Sequence, residues 1–90
     1  MNTVTQETIT GEVKEISTKG DYIVKFALKT MRESGEAWVN ITSSDWQAWR
    51  LREGDEVTLT GELTSTVWEN PFLNEKMETL EMETSRIMFA

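Results

Sequence analysis

The sequence has 90 residues, enough for one small domain near the size at which a single hydrophobic core is only just sufficient. It contains no cysteine and no histidine. Disulfide staples and thiolate metal sites are therefore excluded, and the commonest general base and transition-metal ligand are missing. The net charge of −7 opposes a polyanionic partner, but residues 1–52 carry seven acidic and seven basic side chains while residues 53–90 carry nine and two. The first part is thus neutral and the second holds the whole excess.

The start, "MNTVTQETIT", lacks the basic-then-apolar order of a signal peptide, and no apolar run approaches membrane-spanning length. A soluble, cytoplasmic protein with no membrane partner is the expectation. A period of two then dominates the chain. "ITGEVKEI" (9–16) sets Ile9, Gly11 and Val13 on one face against Thr10, Glu12 and Lys14. "YIVKFALK" (22–29) turns Tyr22, Val24, Phe26 and Leu28 inward and leaves Ile23, Lys25, Ala27 and Lys29 outward. "EAWVNIT" (36–42) points Ala37, Val39 and Ile41 inward, with Trp38 and Asn40 outward. The turns "STKGD" and "MRESGE" between these strands each supply a glycine.

"SSDWQAWRLREG" (43–54) reads as a short helix over residues 44–51. Ser44 with Gln47 fits a capping box, Asp45 suits the positive helix end, Arg50 and Arg52 suit the other, and Gly54 falls at the C-terminal cap. Trp46 and Trp49, three apart, share one face. "DEVTLTGEL" (55–63) resumes alternation, with Val57, Leu59, Gly61 and Leu63 inward. "TSTVWENPFLNEK" (64–76) reads as a long loop. "KMETLEMETSRIMF" (76–89) alternates through Leu80 and Met82, then changes phase before Ile87 and Phe89, which predicts a bulge near Ser85.

Five short strands with one helix between the third and fourth cannot fill two sheets, so the prediction is an all-β closed barrel. The helix plugs its end, with at least one of Trp46 and Trp49 in the core. Gly11 and Gly61 then mark strands that bend where a Cβ has no room. A single domain is expected across residues 1–90, with its core from about residue 7 to residue 89.

The motifs "TGEV" in the first strand and "LREGDEVTLTGEL" at the fourth resemble the OB-fold nucleic-acid-binding domains of the anticodon-binding, replication-protein-A and single-stranded-DNA-binding type. The resemblance spans residues 7–89. The ending "SRIMFA" departs from bacterial single-stranded-DNA-binding proteins, so tail-mediated partner recruitment is not implied. The resemblance implies a ligand lying across the second and third strands, flanked by the links between strands one and two and strands four and five.

On that surface the candidates are Lys14, Ile23, Lys25, Lys29, Trp38 and Asn40, with Lys19 from the first turn and Trp68 from the long loop. A flat aromatic among lysines offers a stacking face and cations for a single strand. Trp38 packing under a loop or in a subunit interface is the alternative. Trp68 either stacks on a second base or belongs to a hairpin extension that folds back or meets a second subunit. The alternating Glu81 and Glu83 form a solvated face rather than a metal site.

The expected function is non-enzymatic binding of single-stranded nucleic acid, DNA ahead of RNA, with low sequence specificity. The acidic part of the chain would face away from the ligand. The alternative is a protein-interaction OB module in a replication or secretion assembly. No cofactor or metal is expected, and a homo-oligomer is compatible with so small a domain.

Overall fold

The computed structural model describes residues 2–20 and 22–90; Asp21 of the predicted "STKGD" turn lies outside them. Its strands are β1 (Asn2–Lys19), β2 (Val24–Arg32), β3 (Gly35–Ser43), β4 (Glu56–Asn70) and β5 (Glu75–Phe89), with a 3-10 helix (Trp46–Arg50) between β3 and β4. They close into a barrel in the order β1-β2-β3-β5-β4, and β4 returns to β1. β3 and β5 run parallel, and every other neighbouring pair is antiparallel. The predicted inward residues fill the interior: Val13, Val24, Phe26, Leu28, Val39, Ile41, Val57, Leu59, Leu63, Met82 and Ile87 are all buried.

β1 serves two neighbours in turn. Residues 2–12 pair with β4 and residues 11–19 pair with β2, so the handover falls at Gly11 and Glu12. A Cβ built on Gly11 collides with the Lys29 carbonyl oxygen, and one built on Gly61 collides with that of Glu83. Both glycines permit a backbone approach that no side chain could share. Beside each stands a buried threonine. The Thr30 hydroxyl donates to the Thr10 carbonyl (2.6 Å), and the Thr84 hydroxyl donates to the Thr60 carbonyl (2.7 Å). In each case the accepting carbonyl belongs to the residue just before the glycine, so two like devices bend the neighbouring strands β1 and β4. Thr60 pairs with Arg86 and Gly61 with Thr84, which leaves Ser85 as the extra residue of the predicted bulge.

The plug differs from the prediction in kind and content. It is a 3-10 helix of five residues, and its N-cap is Asp45, whose Oδ1 accepts the Gln47 N–H (2.9 Å). The other carboxylate oxygen accepts the Ile87 N–H (2.9 Å), tying the helix to β5. Ala48 and Leu51 close the barrel, while Trp46 is 72% exposed and Trp49 47% exposed, so neither tryptophan is core. The helix turns Ala48 inward, and Leu51, its extended C-cap, whose N–H donates to the Ala48 carbonyl, follows it into the barrel. Gly54, instead of capping the helix, adopts φ +97° in the turn before β4. Its N–H donates to the Val13 carbonyl (2.7 Å), and the Val13 N–H donates to the Asp55 carbonyl (2.8 Å). The "GD" turn is thereby pinned to the middle of β1.

Two other expectations change. Tyr22 is 86% exposed, because β2 begins only at Val24. The predicted loop 64–76 is mostly strand: β4 and β5 stay paired from Thr64↔Glu81 out to Asn70↔Glu75, around a turn at residues 71–74. This hairpin extension contributes to the elongated extents of 40 × 26 × 23 Å.

Candidate nucleic-acid interface

Strand register converts the candidate residues into a map. On the outer face of β1, β2 and β3, Glu12, Lys29 and Trp38 form one row. Glu15, Ala27, Asn40 and Glu81 form the next, and Thr18, Lys25, Thr42 and Glu83 the third, these two rows ending on β5. Trp38 is 51% exposed and lies directly across from Lys29. Ala27, a small side chain between Glu15 and Asn40, leaves a shallow groove beside it that Lys25 and Thr42 also line.

Trp68 shares this outer face. It alternates with the Thr64 and Thr66 positions of β4, whose partners on β5 are Glu81 and Thr79. Its Nε1 donates to the Thr79 hydroxyl (3.1 Å). Thr79 immediately precedes Leu80, which pairs with Val39, so the bond holds Trp68 near the level of Trp38. The hairpin extension thus gives Trp68 a strand position, and the indole remains exposed.

The remaining candidates scatter. Lys14 is the extra residue of a bulge between Val13 and Glu15, and its Nζ lies 3.1 Å from Glu12. Lys29 reaches Glu36 at 3.5 Å. Ile23 sits in the link before β2, exposed, and lines a depression with Thr42 and Glu83 at the end of the third row. Lys19 turns toward the 3-10 helix, where its Nζ donates to the Trp49 carbonyl (3.3 Å). Of the predicted set, the structure therefore gathers Trp38, Lys29, Asn40, Lys25 and Trp68 on one surface.

The expected separation of charge does not hold. Parallel pairing of β3 with β5 sets Glu81 beside Asn40 and Glu83 beside Thr42, so the acidic part of the chain borders the candidate surface. The sequence also concealed the exposed aromatic and basic residues of the helix end. "WQAWRLR" displayed them, yet helical spacing read them as plug and caps.

No helix among the described residues is long and apolar enough to cross a membrane. The architecture recurs in solved structures. A mitochondrial single-stranded DNA-binding protein from S. cerevisiae superposes with a TM-score of 0.70 at 18% identity, covering 97% of this chain and 95% of that one. A small single-stranded DNA-binding protein from Streptomyces coelicolor gives 0.66 at 12% identity, with coverage of 96% and 94%. A Plasmodium falciparum single-stranded DNA-binding protein, in complex with single-stranded DNA, gives 0.61 at 20% identity, with coverage of 94% and 93%. These proteins have the OB-fold, and the barrel described above is that fold. No family model matches the chain, and no curated protein matches it in sequence.

Proposed function

We propose that this protein binds single-stranded nucleic acid, DNA ahead of RNA, without catalysing a reaction on it. The observation that carries the reading is Trp38: a half-exposed indole on the outer face of the β2–β3 sheet, opposite Lys29 and on the same surface as Trp68. An unpaired base stacks on the indole, and the Ala27 groove leaves room for its neighbour. Lys25 meets the backbone phosphates, and Lys29 does so by exchanging Glu36 for a phosphate. Stacking accepts any base, so sequence specificity is low. The single-stranded DNA-binding proteins that share the fold support DNA over RNA.

The test is a titration with oligo(dT) and oligo(U) at low salt, read by tryptophan fluorescence. Binding should quench the emission, and Trp38→Ala should weaken it by about 1–3 kcal/mol, roughly five- to a hundredfold. A wild-type protein that binds neither oligonucleotide, or a Trp38→Ala variant with unchanged affinity, refutes the reading.

One feature favours a protein-interaction role as the second reading. At the tip of the hairpin Phe72 is 95% exposed, and its neighbour Leu73 is exposed as well. Apolar side chains gathered at an outlying tip suit a protein contact, a second copy of this chain included. That reading predicts that Phe72→Ser with Leu73→Ser abolishes self-association in sedimentation analysis while leaving oligonucleotide affinity intact.

A further inference from the structure

The 3-10 helix leaves an exposed aromatic and basic surface that the β2–β3 face does not use. Trp46 and Trp49 are not needed to seal the barrel, because Ala48 and Leu51 do so. Around Trp49 the cations rest on rings. Lys19 Nζ lies 5.9 Å from the Trp49 ring centre, and the Arg50 guanidinium lies 5.8 Å from that of Phe89. Arg52 and Asp55 line the same depression.

The cations there form no ion pair with a described residue, whereas Lys29, across from Trp38, is paired with Glu36. Among the described residues the ion pairs are Lys14–Glu12, Lys29–Glu36 and Arg32–Glu7, and none involves Lys19, Arg50 or Arg52. The nearby carboxylates are occupied by the backbone. Asp45 accepts the Gln47 and Ile87 N–H groups, and Asp55 accepts the Arg52 N–H (2.9 Å). Glu53 is the remaining acidic side chain of that turn, and it is exposed. Three cations beside an open indole have the composition that a single strand requires.

The path between the two surfaces is continuous. β3 runs from Trp38 through Asn40 and Thr42 to Ser43, about 17 Å at the usual strand rise, and the helix follows within three residues. Lys25 lies across from Thr42 on this path, and the next pair of the β1–β2 ladder is Lys19↔Val24.

We infer that the helix end is a second station for the same nucleic-acid strand, with Trp49 as its stacking ring and Lys19, Arg50 and Arg52 as its phosphate contacts. The inference rests on the proposed function and extends it from one face to a path around the end of the barrel. A strand too short to leave the β2–β3 face does not feel the second station; a longer one does.

The experiment compares (dT) oligomers of about six and about sixteen nucleotides, within the range of OB-fold site sizes, on wild type, Trp49→Ala, Arg50→Gln/Arg52→Gln and Trp38→Ala. Circular dichroism melts establish that each variant is folded. Trp49→Ala should lose about tenfold in affinity for the long oligomer, as expected for one lost base stack, the double arginine variant should also bind that oligomer more weakly, and both should keep wild-type affinity for the short one. The double arginine variant should also flatten the slope of log affinity against log salt on the long oligomer by about 1.4, at roughly 0.7 per phosphate. Trp38→Ala should weaken both lengths. Unchanged affinity of both helix-end variants for the long oligomer overturns the inference while leaving the proposed function standing. Equal losses on both lengths overturn it too, since the helix end would then be the primary site. Failure of wild type to bind either length overturns the proposed function itself, and the second station with it.

Discussion

Glu81 and Glu83 border the proposed ligand path, so replacing both with glutamine should tighten binding of a single strand. The register sets them one strand away from Asn40 and Thr42. With strands about 4.8 Å apart, a phosphate over either residue lies about 6 Å from a carboxylate. Each such repulsion amounts to about 0.7 kcal/mol in water before screening. A Debye length near 30 Å at 0.01 M salt preserves most of it, and one near 8 Å at 0.15 M preserves about half. The double variant should therefore gain about 1.1 kcal/mol at low salt, roughly sevenfold, and about 0.7 kcal/mol, roughly threefold, at physiological salt. Fluorescence anisotropy of a labelled (dT) oligomer at both salts measures the gain. Glu69→Gln with Glu75→Gln changes the net charge equally at the far end of the hairpin and should gain less. Unchanged affinity at low salt, or an equal gain at both salts, would refute the placement of the ligand beside β5.

Two predictions concern the scaffold. Gly61→Ala drives a Cβ into the Glu83 carbonyl at the bulge and should cost about 2–3 kcal/mol in urea denaturation, with loss of binding only where the barrel itself opens. Trp46→Ala should stay within about 0.5 kcal/mol of wild type in the same measurement, as an exposed position does. Trp49→Ala should lose no more than about 2.5 kcal/mol, from roughly 100 Å² of hidden indole at 25 cal/mol/Å². A loss of about 3–5 kcal/mol on truncating either tryptophan would restore it to the core.

What the sequence revealed follows from the range of the signal. Alternation is local and strong, so the inward set from Val13 to Ile87 and the bulge at Ser85 were legible before any pairing was known. Gly11 and Gly61 were legible as bends because a mid-strand glycine has few other uses. The helix was legible as an element but not as a plug. Spacing of three puts Trp46 and Trp49 on one side of it, and the same spacing puts Ala48 and Leu51 on another; only tertiary packing selects between two stripes. Size favoured the tryptophans, whereas the closed end of a five-stranded barrel accepted alanine and leucine. Residues 64–76 were obscured by Asn70, Pro71 and Asn74, turn formers whose influence stops at four residues while the ladder on either side continues.

The charge asymmetry misled for a topological reason. A neutral first part and an acidic second part become two faces only if each part folds back on itself. Here β5 from the second part lies between β4 and β3, and β1 from the first part pairs with β4 along eleven positions. Closure therefore interleaves the two parts at both seams, and each seam carries carboxylates: Glu81 and Glu83 beside β3, Glu62 and Glu56 beside β1. The cations respond according to where they stand. Lys14, Lys29 and Arg32 lie within reach of Glu12, Glu36 and Glu7 and are paired. Lys19, Arg50 and Arg52 stand at the barrel end, where Asp45 and Asp55 bond the backbone, and form no ion pair among the described residues. An acidic OB barrel can thus keep an attractive route for a polyanion without a basic face, because the effective charge of each lysine or arginine is set by its neighbours in the closed sheet. Net charge, by contrast, governs how the whole molecule meets duplexes and other polyanions at distances beyond a Debye length.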